Sequence, residues 1–325
     1  NQGGVRVDGK FGNSTYLAVF LLFNIFFGAF LFLRSGDKKK VGWVIGVISI
    51  LELVILYLTA TRGAILGLIG GMLVTVVLIA VLGKDGANVR KVSVGVLVGI
   101  VALVGFFVAV RKTPMVQLSP VLSRFATLSI SEVKTQGRYY IWPMAIEGWK
   151  ERPVFGWGQE GFSYVFNKNY NPKMWAQEQW FDRAHSAPLD WLTASGIIGF
   201  LAYISILFYA FWYIWRGNNG AYSTSEKSLL TGLLSAYIFQ SIFVFDNLLS
   251  YILFFSLIAF THSGTSGKKV TFFKKFETLY MQSVMTVVLS IVILTSLFLI
   301  NWKPIRAGQN LIMALSSMQS GVPTK

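Results

Sequence analysis

Apolar residues in this chain run in long blocks separated by short polar breaks, at 16–33, 41–59, 63–82, 92–110, 188–215, 229–245, 248–261 and 284–301. A helix needs about 20 mostly apolar residues to cross the ~30 Å hydrocarbon layer. The pattern therefore predicts an all-α, polytopic transmembrane helix bundle of about eight spans. The stretch from Leu229 to Phe260 is too long for one crossing, and Phe245-Asp246-Asn247 interrupts it. Two helices joined by a tight polar turn fit better, the second short enough to tilt or re-enter. Seven crossings is the alternative count.

Between the fourth and fifth blocks the pattern changes. Residues 111–187 carry tryptophans at 142, 149, 157, 175 and 180 and glycines at 137, 148, 156, 158 and 161. Structureless loops of this length are uncommon and usually functional. Residues 138–150 have helical spacing, ended by Glu151-Arg152-Pro153, and the aromatic content suits short helices half-buried at headgroup level. The organisation that follows is N-terminal spans over 1–110, a partly helical loop over 111–187, C-terminal spans over 188–301 and a tail over 302–325. The chain opens on Asn1 and its amphipathic tail stops abruptly, so earlier spans and a further outer domain are expected beyond it.

Composition sharpens this picture. The chain is 54% hydrophobic and only 13% charged, against about a quarter charged in soluble domains. That excludes a cytosolic enzyme and a disordered tail. No cysteine is present, which removes disulfides, a thiolate nucleophile and thiolate-held metals. The formal charge of +15 would suggest nucleic acid in a soluble protein. Here the basic residues concentrate at 34–40, 84–91, 216–227 and 268–275, loops that share one side if the spans alternate. Such a bias marks the cytoplasmic side. Nucleic acid drops out, and the loop at 111–187 falls outside with Thr61-Arg62 and Asp246-Asn247.

Four charged residues stand out at that outer level. Arg62 joins two spans with essentially no loop between them. It is either a snorkelling anchor or points into the bundle, which the small-residue run Gly63, Gly67, Gly70 and Gly71 would permit. Arg138 opens the helical stretch, and a helix N-terminus with an arginine cradles a phosphate anion well. His185, one of two histidines, sits just before a span. It is the outer side chain suited to proton transfer near neutrality, or else an interfacial helix cap. Arg183 is a third cation or the ion-pair partner of Asp182. Glu52, inside a span, is expected to pair with a polar neighbour. No metal site is expected, since two separated histidines make no zinc set and no Asp-x-Asp pair suits Mg²⁺. No cofactor motif is present either.

The order of motifs carries more than any one of them. Arg62-Gly-Ala is followed by a loop that opens on Gly137-Arg138-x-x-x-Trp142. It passes Pro153-Val-Phe-Gly156-Trp-Gly158 and closes on Arg183-Ala-His185, before a span containing Gly196-Ile-Ile-Gly199. This resembles the O-antigen ligase and polymerase family of bacterial membrane glycosyltransferases. The one departure is Ser186, where the family usually has Asn. The resemblance implies a GT-C-like helical fold and metal-independent, inverting transfer of a glycan to an acceptor hydroxyl. The implied donor is an undecaprenyl diphosphate-linked glycan, used at the outer, periplasmic face of the cytoplasmic (inner) membrane. It implies that Arg62 and Arg138 hold the lipid diphosphate and that His185 acts at a glycan or lipid acceptor. Beside it, the residues themselves leave Arg183 as a third cation for the diphosphate or a partner of Asp182. The rival classes are a transporter or flippase for lipid-linked sugars and a non-catalytic membrane scaffold. Convergence of Arg62, Arg138 and His185 around one outward hollow separates the enzyme from both.

Overall fold

The computed structural model describes residues 6–83, 86–127, 137–175, 180–216, 221–263 and 279–320, and these contain helices and no strand. The expected basic loop at 268–275 and Lys84 lie outside the described residues. Two units separate, residues 1–266 and 267–325.

The first unit begins with four long apolar helices, α1 (Ser14–Arg34), α2 (Lys38–Leu58), α3 (Arg62–Leu82) and α4 (Ala87–Val110). Asn13 starts α1 by accepting from the Thr15 N–H, and Asp37 starts α2 by accepting from the Lys40 N–H, each filling one vacancy of a helix N-terminus. Short helices follow, α5 (Pro114–Gln117), α6 (Leu122–Ala126), α7 (Gly137–Glu151) and α8 (Phe162–Lys168). Then come α9 (Ala187–Trp215), α10 (Thr224–Ser241) and α11 (Leu248–Ser263). The second unit holds α12 (Leu279–Ser296), a π-helical turn (Leu297–Trp302) and the amphipathic α13 (Lys303–Ser320).

Six helical stretches are long and apolar enough to span a membrane, and α11 is a shorter apolar helix. The chain is a multi-pass helical membrane protein. The expected span at 229–245 corresponds to α10, which ends at Ser241 and is less apolar than the six. Its place in the fold explains why. Helix α10 runs through the core, burying Leu230, Leu233, Leu234, Ala236 and Tyr237 together with Ser228, Thr231 and Gln240. Ser228 and Thr231 donate their hydroxyls back to the Thr224 and Lys227 carbonyls, so these polar side chains need no water. A helix shielded by its neighbours can be less apolar than one facing lipid.

Helix α3 provides the closest neighbour. A Cβ added at Gly67 would stand 2.9 Å from the Ala236 carbonyl oxygen, and one at Gly71 would stand 2.5 Å from that of Gly232. The small-residue face expected on α3 therefore receives α10. On the other flank Phe23 of α1 meets Tyr237 edge-on at 5.8 Å, and Tyr237 stacks on Phe254 of α11 at 5.0 Å. By contrast α2 buries only Leu56 and α4 only Ser93. Glu52 sits on this unpacked α2 and finds no hydrogen bond or ion pair among the described residues, contrary to the expected pairing.

Two of the basic loops meet at one end of the bundle, as alternating spans require. Arg34 Nε donates to Glu226 Oε1 at 2.5 Å and Arg34 Nη2 to the Ala221 carbonyl at 2.8 Å. At the other end, the long middle segment locks into α9. This helix is broken at Gly196 (φ 62°, ψ −163°), a backbone region essentially reserved for glycine. The break frees carbonyls and amides, and the Pro153–Gly158 motif takes them. Trp157 and Gly158 N–H donate to the Thr193 and Ala194 carbonyls at 2.9 and 2.8 Å, while Ile197 N–H donates to the Pro153 carbonyl at 2.8 Å. Two motifs that stand apart in the sequence are one joint. It fixes the loop to the helix whose start carries His185.

Candidate functional site

The site is built on residues 242–247, the non-helical link between α10 and α11. This link is longer than the tight turn expected at Asp246-Asn247, because α10 ends four residues earlier than Phe245. Asn247 terminates it by accepting from the Leu249 and Ser250 N–H groups at the start of α11.

Three elements converge on this link. From α3, Gly63 faces it closely: a Cβ there would lie 3.9 Å from both Gln240 Cγ and Phe243 Cβ. From α7, Trp142 stacks on Phe243 with ring centroids 6.2 Å apart. From the end of the long loop, His185 sets its ring edge-on to Phe245 at 5.1 Å, and the Ala187 N–H donates to the Val244 carbonyl at 3.1 Å.

Arg62 directly precedes Gly63, and Arg138 stands one helical turn before Trp142, on the same face of α7. The two guanidinium groups come within each other's field. Burial, and after it the Arg62 charge, pull Arg138 below the ordinary guanidinium range. Arg138 Nε is buried and has no hydrogen-bond partner among the described residues. Like charges brought together in a partly desolvated place cost free energy, which a bound anion recovers. Helix α3 adds to this, since Thr61 at its N-cap makes no side-chain cap hydrogen bond. Its first-turn N–H groups are thus not closed by that hydroxyl, and a helix N-terminus favours negative charge. Thr61 instead receives Arg6 Nη2 at 3.0 Å, while Arg6 Nε donates to the Thr59 carbonyl at 2.9 Å.

His185 is half-buried in a left-handed backbone bend, φ 53°, with its ring between Phe181 and Phe245. Its Nδ1 faces the Arg183 carbonyl at 3.2 Å. A carbonyl only accepts, so Nδ1 carries the proton in the neutral ring and Nε2 carries the basic lone pair. Two other non-glycine residues share the left-handed backbone, Ala60 and Glu160. Both adjoin arginines: Ala60 lies two residues before Arg62, and Glu160 pairs with Arg183. Strain of this kind costs about 1–3 kcal/mol per residue and gathers at functional sites.

Arg183 behaves differently from the other two arginines. Its Nη2 is ion-paired with Glu160 Oε1 rather than with the adjacent Asp182. The expected pairing of Arg183 with Asp182 is thereby corrected. Neighbours on an extended loop diverge, whereas Glu160 is brought in by the joint on α9. Ser186 occupies the N-cap of α9 without a side-chain cap hydrogen bond, so the expected departure from Asn falls at a position whose side chain is buried but not capping.

Several members of the site carried no sequence signal. Phe243 looks like any span residue, and Glu160 like any surface acid. Asp246 registered only as an interruption of an apolar run. It is the buried acceptor of the Tyr237 hydroxyl at 2.6 Å and the Ser250 hydroxyl at 3.2 Å. A cavity of about 10 Å³, room for a single water, lies beside it between Gln240, Phe245 and Ser250. A larger hollow of about 550 Å³, lined by Gly86, Arg90 and Lys91, belongs to the opposite end of α3 and carries no acid–base group.

Residues 45–204 match the family described as O-antigen ligase. That stretch, just under half of the chain, is similar to the O-antigen ligase family. The match runs from α2 into α9, so Arg62, Arg138, Arg183 and His185 all fall within it, while the 242–247 link lies beyond. No curated protein matches the chain. The match supports a glycosyltransferase of the O-antigen ligase or polymerase type, and the long apolar helices supply its membrane setting.

Proposed function

We propose that the protein transfers a glycan from undecaprenyl diphosphate to an acceptor hydroxyl at the outer face of the cytoplasmic membrane, with inversion at the sugar carbon and without a metal. The observation that carries this reading is the pairing of Arg62 with Arg138 next to the link on which His185 rests. A transporter or scaffold gives no reason to bring two guanidinium groups into each other's field near the link that seats a histidine whose Nδ1 is turned to a carbonyl.

In this reaction the acceptor oxygen attacks the anomeric carbon from the face opposite the diphosphate. The carbon–oxygen bond to phosphate breaks as the new glycosidic bond forms. His185 Nε2 takes the hydroxyl proton, and undecaprenyl diphosphate departs carrying the electron pair. Negative charge then grows on its oxygens beside Arg62 and Arg138. Arginine stays protonated throughout and matches phosphate with a planar fork, so it stabilises the leaving group as it forms. Arg183, paired with Glu160, is assigned the part of a supporting cation.

His185→Ala tests the assignment. Transfer should fall by about 10²–10⁴-fold while the variant still folds and still retains the lipid-linked donor. Wild-type transfer by His185→Ala would remove the base from the mechanism.

A further inference from the structure

Asp190 closes the first turn of α9, and its carboxylate turns back along the chain. Asp190 Oδ1 accepts a hydrogen bond from the Ala184 N–H at 2.6 Å. Ala184 is fully buried and immediately precedes His185. The same stretch is tied at other points: Asp190 N–H donates to the Ser186 carbonyl at 2.8 Å, Ala187 N–H to the Val244 carbonyl, and the His185 ring to the Arg183 carbonyl. Of these ties, apart from that of His185 itself, only the Asp190 carboxylate is a side chain, so a substitution can remove it without touching the backbone or the imidazole.

The geometry shows why such a tie is needed. A left-handed φ of 53° is unfavourable for histidine and persists only where surrounding contacts over-determine it. A hydrogen bond from backbone N–H to carboxylate is charge-assisted and stronger than its neutral counterpart. It anchors the residue next to the bend, so it fixes the direction in which the imidazole leaves the chain. The second oxygen, Oδ2, is buried with no hydrogen-bond partner among the described residues, an expense that packing alone does not explain. Arg183 lies within electrostatic reach and offsets part of it, while Asp182 and Asp246 oppose it.

We infer that Asp190 is a positioning residue for glycan transfer, holding the bend that seats His185 against Phe245 and aims Nε2 at the acceptor. This rests on the reading of His185 as the base. A misplacement of about 1 Å in a catalytic group costs about 10²-fold in rate. Asp190 makes no claim on the diphosphate, so its loss should appear in turnover and leave donor saturation alone.

The test uses the full chain in lipid nanodiscs with a membrane-lipid extract from cells lacking the gene, which supplies donor and acceptor together. Release of undecaprenyl diphosphate is followed against extract concentration, with thermal unfolding recorded for each variant. Asp190→Ala should lower the maximal rate about 10²-fold at an unchanged half-saturating concentration. Asp190→Asn keeps an oxygen acceptor for the Ala184 N–H and should recover to within a few fold of wild type. His185→Ala combined with Asp190→Ala should be no slower than His185→Ala alone, because Asp190 acts through the imidazole. Should Asp190→Ala fail to fold, Asp190→Glu carries the test, since it keeps the charge but moves the oxygen by one methylene and should be slowed in the same way. The inference is overturned by a wild-type rate in Asp190→Ala, by Asp190→Asn as slow as Asp190→Ala, or by full additivity in the double variant. If Asp190→Ala is fast and His185→Ala slow, only the positioning role fails. If His185→Ala is itself fast, the base assignment fails first.

Discussion

Trp142 stacks on Phe243 across the gap between α7 and the link after α10, ring centroids 6.2 Å apart and planes 30° from parallel. That contact places Arg138, one turn earlier on α7, beside Arg62 at the start of α3. The two cations then oppose each other in a partly buried place.

Arg138→Gln should therefore separate activity from stability. Release of undecaprenyl diphosphate should slow by about 10²–10³-fold, the usual loss for one preorganised donor at a developing anion. The thermal unfolding midpoint without donor should hold or rise, because the repulsion is relieved. Arg138→Lys should not restore the rate, lacking the planar fork. A midpoint that falls in step with activity would mean Arg138 serves the fold.

Gly196 holds the joint between α9 and the Pro153–Gly158 segment. A Cβ there would stand 2.3 Å from the Val154 carbonyl oxygen, in addition to the backbone strain. Gly196→Ala is expected to destabilise by at least about 1–3 kcal/mol, read as a lowered unfolding midpoint in detergent. Gly95→Ala is the control, since nothing lies within 4 Å of that position on α4. It should be neutral or slightly stabilising through better helix propensity.

Asp246 gives the protein a pH dependence of definite sign. Burial raises its carboxyl above the ordinary value, and the hydrogen bonds from Tyr237 and Ser250 only partly counter this. The folded state then holds the proton more tightly than the unfolded chain does. That stability is complete below the unfolded carboxyl pKa of about 3.9 and is lost as pH rises through the raised folded value. Asp246→Asn keeps an acceptor for Tyr237 and removes the titration. Its midpoint advantage over wild type should grow as pH rises above the unfolded carboxyl pKa of about 3.9, measured by thermal unfolding, and an advantage that shrinks with rising pH contradicts the assignment.

Chelation offers a separate check on the chemistry. If guanidinium groups neutralise the departing diphosphate, EDTA should leave the rate of glycan transfer unchanged, and added Mg²⁺ should not raise it. Activity lost to EDTA and restored by Mg²⁺ would assign that role to a metal instead.

The joint and the arginine pair also mark how far the sequence reaches. Pro153–Gly158 and Gly196–Gly199 are visible as motifs, but nothing local says that one mends the hydrogen bonds broken by the other. Arg183 stands next to Asp182 in the chain and pairs with Glu160. Asp190 is a first-turn acid like many others until its carboxylate is seen on the Ala184 N–H.

By itself the sequence determined the helical, membrane-spanning character and the small-residue face of α3, because hydropathy and glycine spacing act over one or two turns of chain. It did not account for the polar residues of α10, which are tolerated because α1, α3 and α11 enclose it. Which side chains share a site was left to the tertiary structure. Arg62 and Arg138 come within each other's field from two separate helices, and His185 and Trp142 seat on the same 243–245 stretch from different elements. Such contacts are decided by how whole helices pack, a property that no stretch of sequence carries alone.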